Sequence, residues 1–492
     1  MTANADLPPQ DADALAGLTR ACVAFVDGLR FEDLPDDVVH LSKRCLIDGC
    51  GVMIAGTEQA IMAPLGRFVA AQGGPGQSRL LGDAALRVPA PRAALWHGTA
   101  GHAMDWDDTQ LAEGPGRPYG LLMHPTVPPL AAALAVADLV AGETGAPVDG
   151  RRFLVAFNAG FEVACKIAEA IDPDHYMKGF HTSGTIGTFA AAATAAKLMR
   201  LDAGETARAI GIAASMASGI RAGFGTMTKP LHVGRAAENG VTAALLAREG
   251  FTGNDEALDG PWGYLAVAGR GGDARLVLGR LGRPFSMAAP GLSIKPYPSG
   301  VLTHPSMDAM LALVKAHGIA ADAIESVTLH AGRNVLGPIR YRIAKSELEG
   351  KFSFAFLLSA IILRHGAGKA EFTDEFVLSD ACQAMQARIE TRFDQEIEDM
   401  GWDRIRSRIA LVTRDGRRFE KWADEAYRGS PHNPLDDAAV KDKFRDCAAG
   451  LLDDAGMERF FEAVETLPDA ADVSVLLAAL DWQRSARTGA PG

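Results

Sequence analysis

Long runs of alanine, glycine and other small apolar residues constrain this chain more than any other feature. Leu41–Ala55 (LSKRCLIDGCGVMIA) places apolar residues at helical spacing. Pro128–Val140 opens on prolines, runs through alanine and leucine and stops at Gly142, the pattern of a helix with proline in its first turn. Thr182–Leu201 begins with Thr and Ser as candidate N-caps and continues Ala-rich. Gly234–Glu249 is followed by Gly250, which suits a helix closed by a left-handed glycine. Helices of such small residues pack at close range, and the 53 glycines favour that arrangement over a sheet-rich fold. Residues 1–286 are therefore expected to form an almost wholly helical domain.

The texture changes near Pro290–Pro298. Ile324–Ala331 (IESVTLHA) alternates like a half-buried strand, and Arg408–Trp422 holds two strand-like runs around Asp415-Gly416, a hairpin signal. Between them Phe352–Arg364 reads as a very apolar helix ending at Gly366. Residues 287–425 are expected to form an α+β unit, and 426–492 to return to helix and pack back on the first domain. The 492 residues fit two domains better than one core.

Net charge is −12, which argues against a nucleic-acid partner, since phosphate neutralisation needs a basic face. An anionic substrate would need a local cluster of Lys, Arg and His set against the overall sign. The acidic N-terminal stretch lacks the basic and apolar regions of a signal peptide. Lys197 and Asp138 interrupt the apolar segments, so no run is expected to reach the ~18 residues of a membrane span. A cytoplasmic location follows as the expectation. Cys22, Cys45, Cys50, Cys165, Cys382 and Cys447 are scattered without a CxxC pair, and are expected as buried, reduced thiols.

Four clusters carry chemistry. The first runs from His102 through Asp105, Asp107 and Asp108 to Thr109, then His124-Pro125-Thr126. Carboxylates beside imidazoles suit general acid/base work or a metal, although a helix end with solvated and capping acids would look the same. The second, Lys178-Gly179-Phe180-His181-Thr182-Ser183, precedes an Ala-rich helix whose free N–H groups favour an anion. The third places Lys229 and His232 just before the next helix, where they can clamp an anion. The fourth, Lys295-Pro296-Tyr297-Pro298-Ser299-Gly300, lies where the domains meet, and its prolines fix where Lys295 points. No P-loop, dinucleotide fingerprint, Gly-x-Ser-x-Gly elbow or His-Glu-x-x-His pattern occurs. The spacing from His102 to Asp107 and Asp108 matches no common metal site, so no metal is expected.

The order and wording of these clusters resemble the MmgE/PrpD family over nearly the whole chain, most specifically at His102–Thr109, His181–Thr185, Lys229–His232 and Lys295–Pro298. The resemblance implies a mostly α fold with an α+β lid: a large helical domain built from both chain ends, and a smaller inserted unit. It also implies a homodimer and no metal or organic cofactor. Its activities include 2-methylcitrate dehydratase, cis-aconitate decarboxylase and iminodisuccinate epimerase. By matching motifs, Asp105, Thr109, His124, His181, Lys229 and Lys295 should line a cleft between helices and lid. This chain departs from the family pattern in four places. It has His97-Gly98 where Asn-Gly is common, and Gly300 where Cys, or His in the decarboxylases, is found. Phe356 lies near a decarboxylase Tyr, and the Gln110–Met123 loop, with its Pro/Gly-rich Gly114–Tyr119 segment, is longer.

The expectation is a cofactor-independent lyase, dehydratase-like, acting on a small di- or tricarboxylate. Asp105, His124, His181 and Lys229 are the catalytic candidates, without an assignment of base and acid. Thr109, Lys295, Lys178, His232, Tyr297 and Ser299 are the substrate-binding candidates. Decarboxylation and epimerisation remain open in the same pocket. So do a non-catalytic carboxylate-binding protein and a divalent-metal enzyme using Asp105, Asp107 and Asp108.

Overall fold

The computed structural model describes residues 17–110, 123–269, 272–480 and 482, with 83–85 described in backbone only. The N-terminal stretch 1–16 and the interior of the loop after Gln110 lie outside the described residues.

Small residues set how the helices pack. The Ala90–Ala103 and Thr228–Arg248 helices cross so closely that a Cβ on Gly98 would lie 2.9 Å from Gly234 Cα. They run antiparallel, with Arg92 paired to Glu238 at one end and Asp105 to Lys229 at the other. This crossing carries the end of one helix to the first turn of the next, and it is what brings the first and third clusters together. The Gly187–Met199 helix packs against Thr228–Arg248, Gly150–Ile171 and Val127–Thr144.

Several boundaries differ from expectation. The Thr228–Arg248 helix already includes Lys229 and His232, because Pro230 sits in the first turn, where its missing N–H costs nothing. Val127–Thr144 runs past Gly142 to Gly145, which supplies the left-handed closing residue (φ 67°). Thr182–Leu201 divides into Thr182–Thr185 and Gly187–Met199. Phe354–Arg364 is closed by His365 (φ 56°), not by Gly366. The helical region also holds a short antiparallel hairpin, Ser78–Leu80 with Asp83–Val88, turned at Gly82.

Val127–Thr144 is long and apolar enough to cross a membrane by length and composition, contrary to the sequence expectation. It is a core helix: 78% of it is buried among its neighbours. Its one charged core residue, Asp138, takes a bidentate pair from Arg79, at 2.8 and 3.0 Å.

The α+β region forms a four-stranded sheet in the order Ile389–Phe393, Ile324–Ala331, Ser407–Thr413, Arg418–Trp422. The first pair is parallel, which requires the helical crossover between those strands. The other pairs are antiparallel, and Gly416 (φ 85°) turns the predicted hairpin. Buried residues alternate along Ser407–Thr413, and the His304–His317 helix packs on that strand.

The Asp437–Ala448 and Asp454–Glu465 helices pack on Asp36–Thr57, which closes the C-terminal helices on an N-terminal one. Lys443 fastens this closure. Its ammonium lies 2.5 Å from the buried Asp48 carboxylate and donates to Trp106 O at 2.7 Å. Lys443→Met should cost about 3–5 kcal/mol in urea unfolding, because it strands Asp48 in the interior. A loss below ~1 kcal/mol would show that the pair does not hold the tail. The six cysteines are free and buried.

Candidate active site

Asp105 leaves the Ala90–Ala103 helix with φ 53°, a left-handed conformation that Asp tolerates better than most residues. This turn aims its carboxylate across the helix crossing. Lys229 Nζ and Lys295 Nζ each lie 2.9 Å from Asp105 Oδ1, and Lys295 also donates to Asp105 O at 2.8 Å. All three are nearly sealed from water: relative exposures are 3% for Asp105, 5% for Lys229 and 1% for Lys295. Burial alone would raise the Asp105 pKa. The two ammonium groups outweigh it and hold the carboxyl well below its usual range. Burial in turn lowers the Lys229 pKa, against the pull of Asp105. Lys229 also faces the rings of Phe224 and Phe352, each 5.3 Å away.

Lys295 reaches this point because its strand-like segment is pinned. Thr109 and Ser293 exchange backbone hydrogen bonds of 2.9 and 2.7 Å. This bridge ties the helical and α+β regions together just before Lys295. The Thr109 hydroxyl donates to Met123 O at 3.0 Å.

Histidines form a row behind the carboxylate. Both Asp107 oxygens lie 2.9 Å from His102 Nδ1, and one lies 3.3 Å from His124 Nδ1. The His102 ring centre is 4.5 Å from that of His124 and 5.5 Å from that of His181. His124 Nε2 is 3.8 Å from Asp105 Oδ1, and its backbone N–H donates to Ser183 Oγ at 2.9 Å. Burial lowers His102 to about 3 and His181 well below the ordinary histidine value. Both are therefore neutral imidazoles at neutral pH.

A cleft opens on these groups. It brings together Asp105, Thr109, His124, His181, Lys229 and Lys295, six of the ten candidate residues. The other four do not line it. Lys178 is bonded to Gly269 O at the surface, Tyr297 donates to Asp308 at 2.7 Å, and Ser299 pairs with Thr303 at 2.9 Å. His232 stands behind His181 rather than on the cleft. The polar groups of these four substrate-binding candidates are engaged with partners other than the cleft: Gly269, Asp308, Thr303 and His181. The rest of the lining was not legible: Phe224, Val301, Leu302, Pro338, Ile339 and Phe352 make it apolar, and Tyr176 completes it. Gly300 lies there too, and a Cβ on it would meet only Ile339 Cδ1, at 3.8 Å.

His102, Asp105, Asp107 and His124 each offer one atom within 4.8 Å of the others, so by spacing they could hold a metal ion. The charges around them oppose it, since both lysine ammonium groups already sit on Asp105. Asp108, named in the metal alternative, turns away: it accepts from Thr126 Oγ1 at 2.6 Å and from Thr126 N at 3.3 Å, just before the Val127–Thr144 helix. Burial, with Asp48 nearby, raises its pKa to about 8. A folded-state value above the unfolded one means that stability is full below the unfolded pKa of ~4 and is lost as pH climbs toward 8. Asp108→Asn should flatten that loss, with a variant as stable as wild type at pH 4 and more stable at pH 8 in parallel urea melts. Equal slopes with pH would contradict this.

Comparison with known proteins agrees with this architecture. Residues 20–277 match the MmgE/PrpD N-terminal domain, and residues 297–469 match the MmgE/PrpD C-terminal domain. Cis-aconitate decarboxylase of Homo sapiens is 27% identical over 471 residues, covering 94% of each chain. That of Mus musculus is also 27% identical, over 94% of this chain and 93% of its own. That of Aspergillus terreus is 22% identical over 96% of this chain and 97% of its own. Fold, cleft and relatives together define an enzyme of the lyase class. The chain belongs to the MmgE/PrpD family.

Proposed function

We propose that this protein is a cofactor-independent lyase that moves protons on a small di- or tricarboxylate held in the Asp105 cleft. The observation that carries the reading is the pair of buried lysines sharing one carboxylate beside neutral imidazoles. Lys229 and Lys295 can exchange some of their contact with Asp105 for a substrate carboxylate. Charge-assisted hydrogen bonds of this kind are roughly twice as strong as neutral ones. In an elimination, a neutral imidazole takes the proton next to a carboxylate, and the negative charge that develops is stabilised by the ammonium groups. The electron pair then forms the double bond, and the hydroxyl leaves as water with a proton from Lys229, whose lowered pKa suits a donor.

The names of the relatives favour a second reading, decarboxylation of a cis-aconitate-like acid. There the bond to one carboxylate breaks, carbon dioxide leaves, and the electron pair left on carbon takes a proton from a cleft donor. The two are separated by incubating purified protein with citrate, 2-methylcitrate and cis-aconitate. A new alkene without gas release assigns dehydration, and release of carbon dioxide assigns decarboxylation. Binding without either change would mean a carboxylate-binding protein. The same reading carries three further expectations: domains divided near residues 286 and 425, a homodimer, and a cytoplasmic location.

A further inference from the structure

His232 does not touch the cleft, yet its placement is tightly defined. Its Nδ1 lies 3.2 Å from Nδ1 of His181, the imidazole that does line the cleft. Three glycines crowd the His232 side chain. A Cβ on Gly184 would lie 2.8 Å from His232 Cβ, one on Gly219 would lie 3.2 Å from Cγ, and one on Gly223 would lie 3.6 Å from Cε1. The Phe224 ring meets the edge of His181 with centres 5.1 Å apart. Both rings are thus fixed in orientation, and their meeting is a defined contact of two nitrogens rather than a chance approach of surface side chains.

Two imidazoles meeting nitrogen to nitrogen share one proton between them: one donates and the other accepts. Burial depresses the pKa of both, so each ring carries a single proton. His181 Nε2 is buried and has no hydrogen-bond partner. A buried N–H without an acceptor is more costly than an unused acceptor lone pair. The positive charge of Lys229 also acts on His181, and it favours a lone pair over a donor on that side. The proton of His181 therefore belongs on Nδ1, donated to His232 Nδ1, and Nε2 is left as a free acceptor.

We propose that His232 is a positioning residue that fixes the tautomer of His181, so that His181 Nε2 presents its lone pair as the base for substrate deprotonation. The inference rests on reading the cleft as a proton-transfer site, but its central statement, the tautomer, is testable without turnover. Nitrogen NMR of the full-length protein labelled with 15N-histidine should show His181 with a protonated Nδ1 and an unprotonated Nε2, assigned by the loss of its signals in His181→Gln. The opposite tautomer would overturn the proposal even if the enzyme is fully active.

Two substitutions then test the role. Asn places an acceptor oxygen near the position of Nδ1, whereas Leu offers none. His232→Asn should keep kcat within about 5-fold of wild type, while His232→Leu should lower kcat by at least ~10-fold with KM little changed, the scale of a partly disabled general base. Equal activity of both variants, high or low, would contradict a tautomer role. Should His232→Leu fail to fold, the NMR assignment in wild type and the activity of His232→Asn still decide the matter.

Discussion

Replacing Lys229 by methionine is expected to lower turnover on the order of 10³-fold while the fold survives, the scale for loss of one preorganised charge at a reaction centre. Methionine keeps the length and apolar stem of lysine, so the contacts with Phe224 and Phe352 persist. Asp105 keeps Lys295 at 2.9 Å and is not left as an unpaired buried charge. What disappears is one of the two cations available to a substrate carboxylate, together with the proposed proton donor. The check is kcat and KM of Lys229→Met alongside its urea midpoint. Near-normal turnover would remove Lys229 from the site.

Asp105→Asn makes a different pair of losses. The substitution is close in shape, but it leaves two buried ammonium groups facing a neutral side chain. Breaking a buried pair from one side costs about 3–5 kcal/mol. Some of this is recovered if Lys229 gives up its proton, which its lowered pKa makes easier. Turnover is expected to fall by at least ~100-fold, the scale for disturbing preorganised charge at a reaction centre. Here the structure refines the sequence reading of Asp105 as a proton carrier. A carboxylate held well below its ordinary pKa is a weak base. Asp105 is better suited to hold both lysines charged and in place, with the neutral histidines moving protons. Asp105→Asn should therefore lose stability and activity together, whereas Lys229→Met loses mainly activity. An Asp105→Asn protein with wild-type stability would contradict the shared-counterion geometry.

The polar half of the cleft was legible because Asp, His and Lys in glycine- and proline-rich settings stand out in a sequence. Asp105, His124, His181, Lys229 and Lys295 lay in clusters that stand out in that way, and the family resemblance joined those separate stretches into one cleft. The apolar wall was not legible, because Val301, Leu302 and Ile339 look like any core residue until the fold places them. Lys178, Tyr297 and Ser299 stood inside the right motifs, yet their polar groups are spent on Gly269, Asp308 and Thr303. A motif marks a segment, whereas side-chain direction depends on partners distant in sequence. The same applies to His232: its neighbour His181 lies on another helix start, so the contact had no local signal. At the level of fold, alternation marked Ile324–Ala331 and the Gly416 hairpin. The Ser78–Leu80 strand was too short to show a period, and Pro230 disguised a helix start because proline reads as a boundary.

The most direct test of the central claim is proton NMR in deuterated buffer, with purified protein and a panel of 2-methylcitrate, citrate, cis-aconitate and aspartate- or tartrate-like diacids. The account predicts that at least one compound exchanges a carbon-bound proton for deuterium beside a carboxylate, with a new alkene or loss of carbon dioxide, and that Lys229→Met abolishes the change. A panel left wholly unchanged by folded wild-type protein, or changed equally by Lys229→Met, would contradict it.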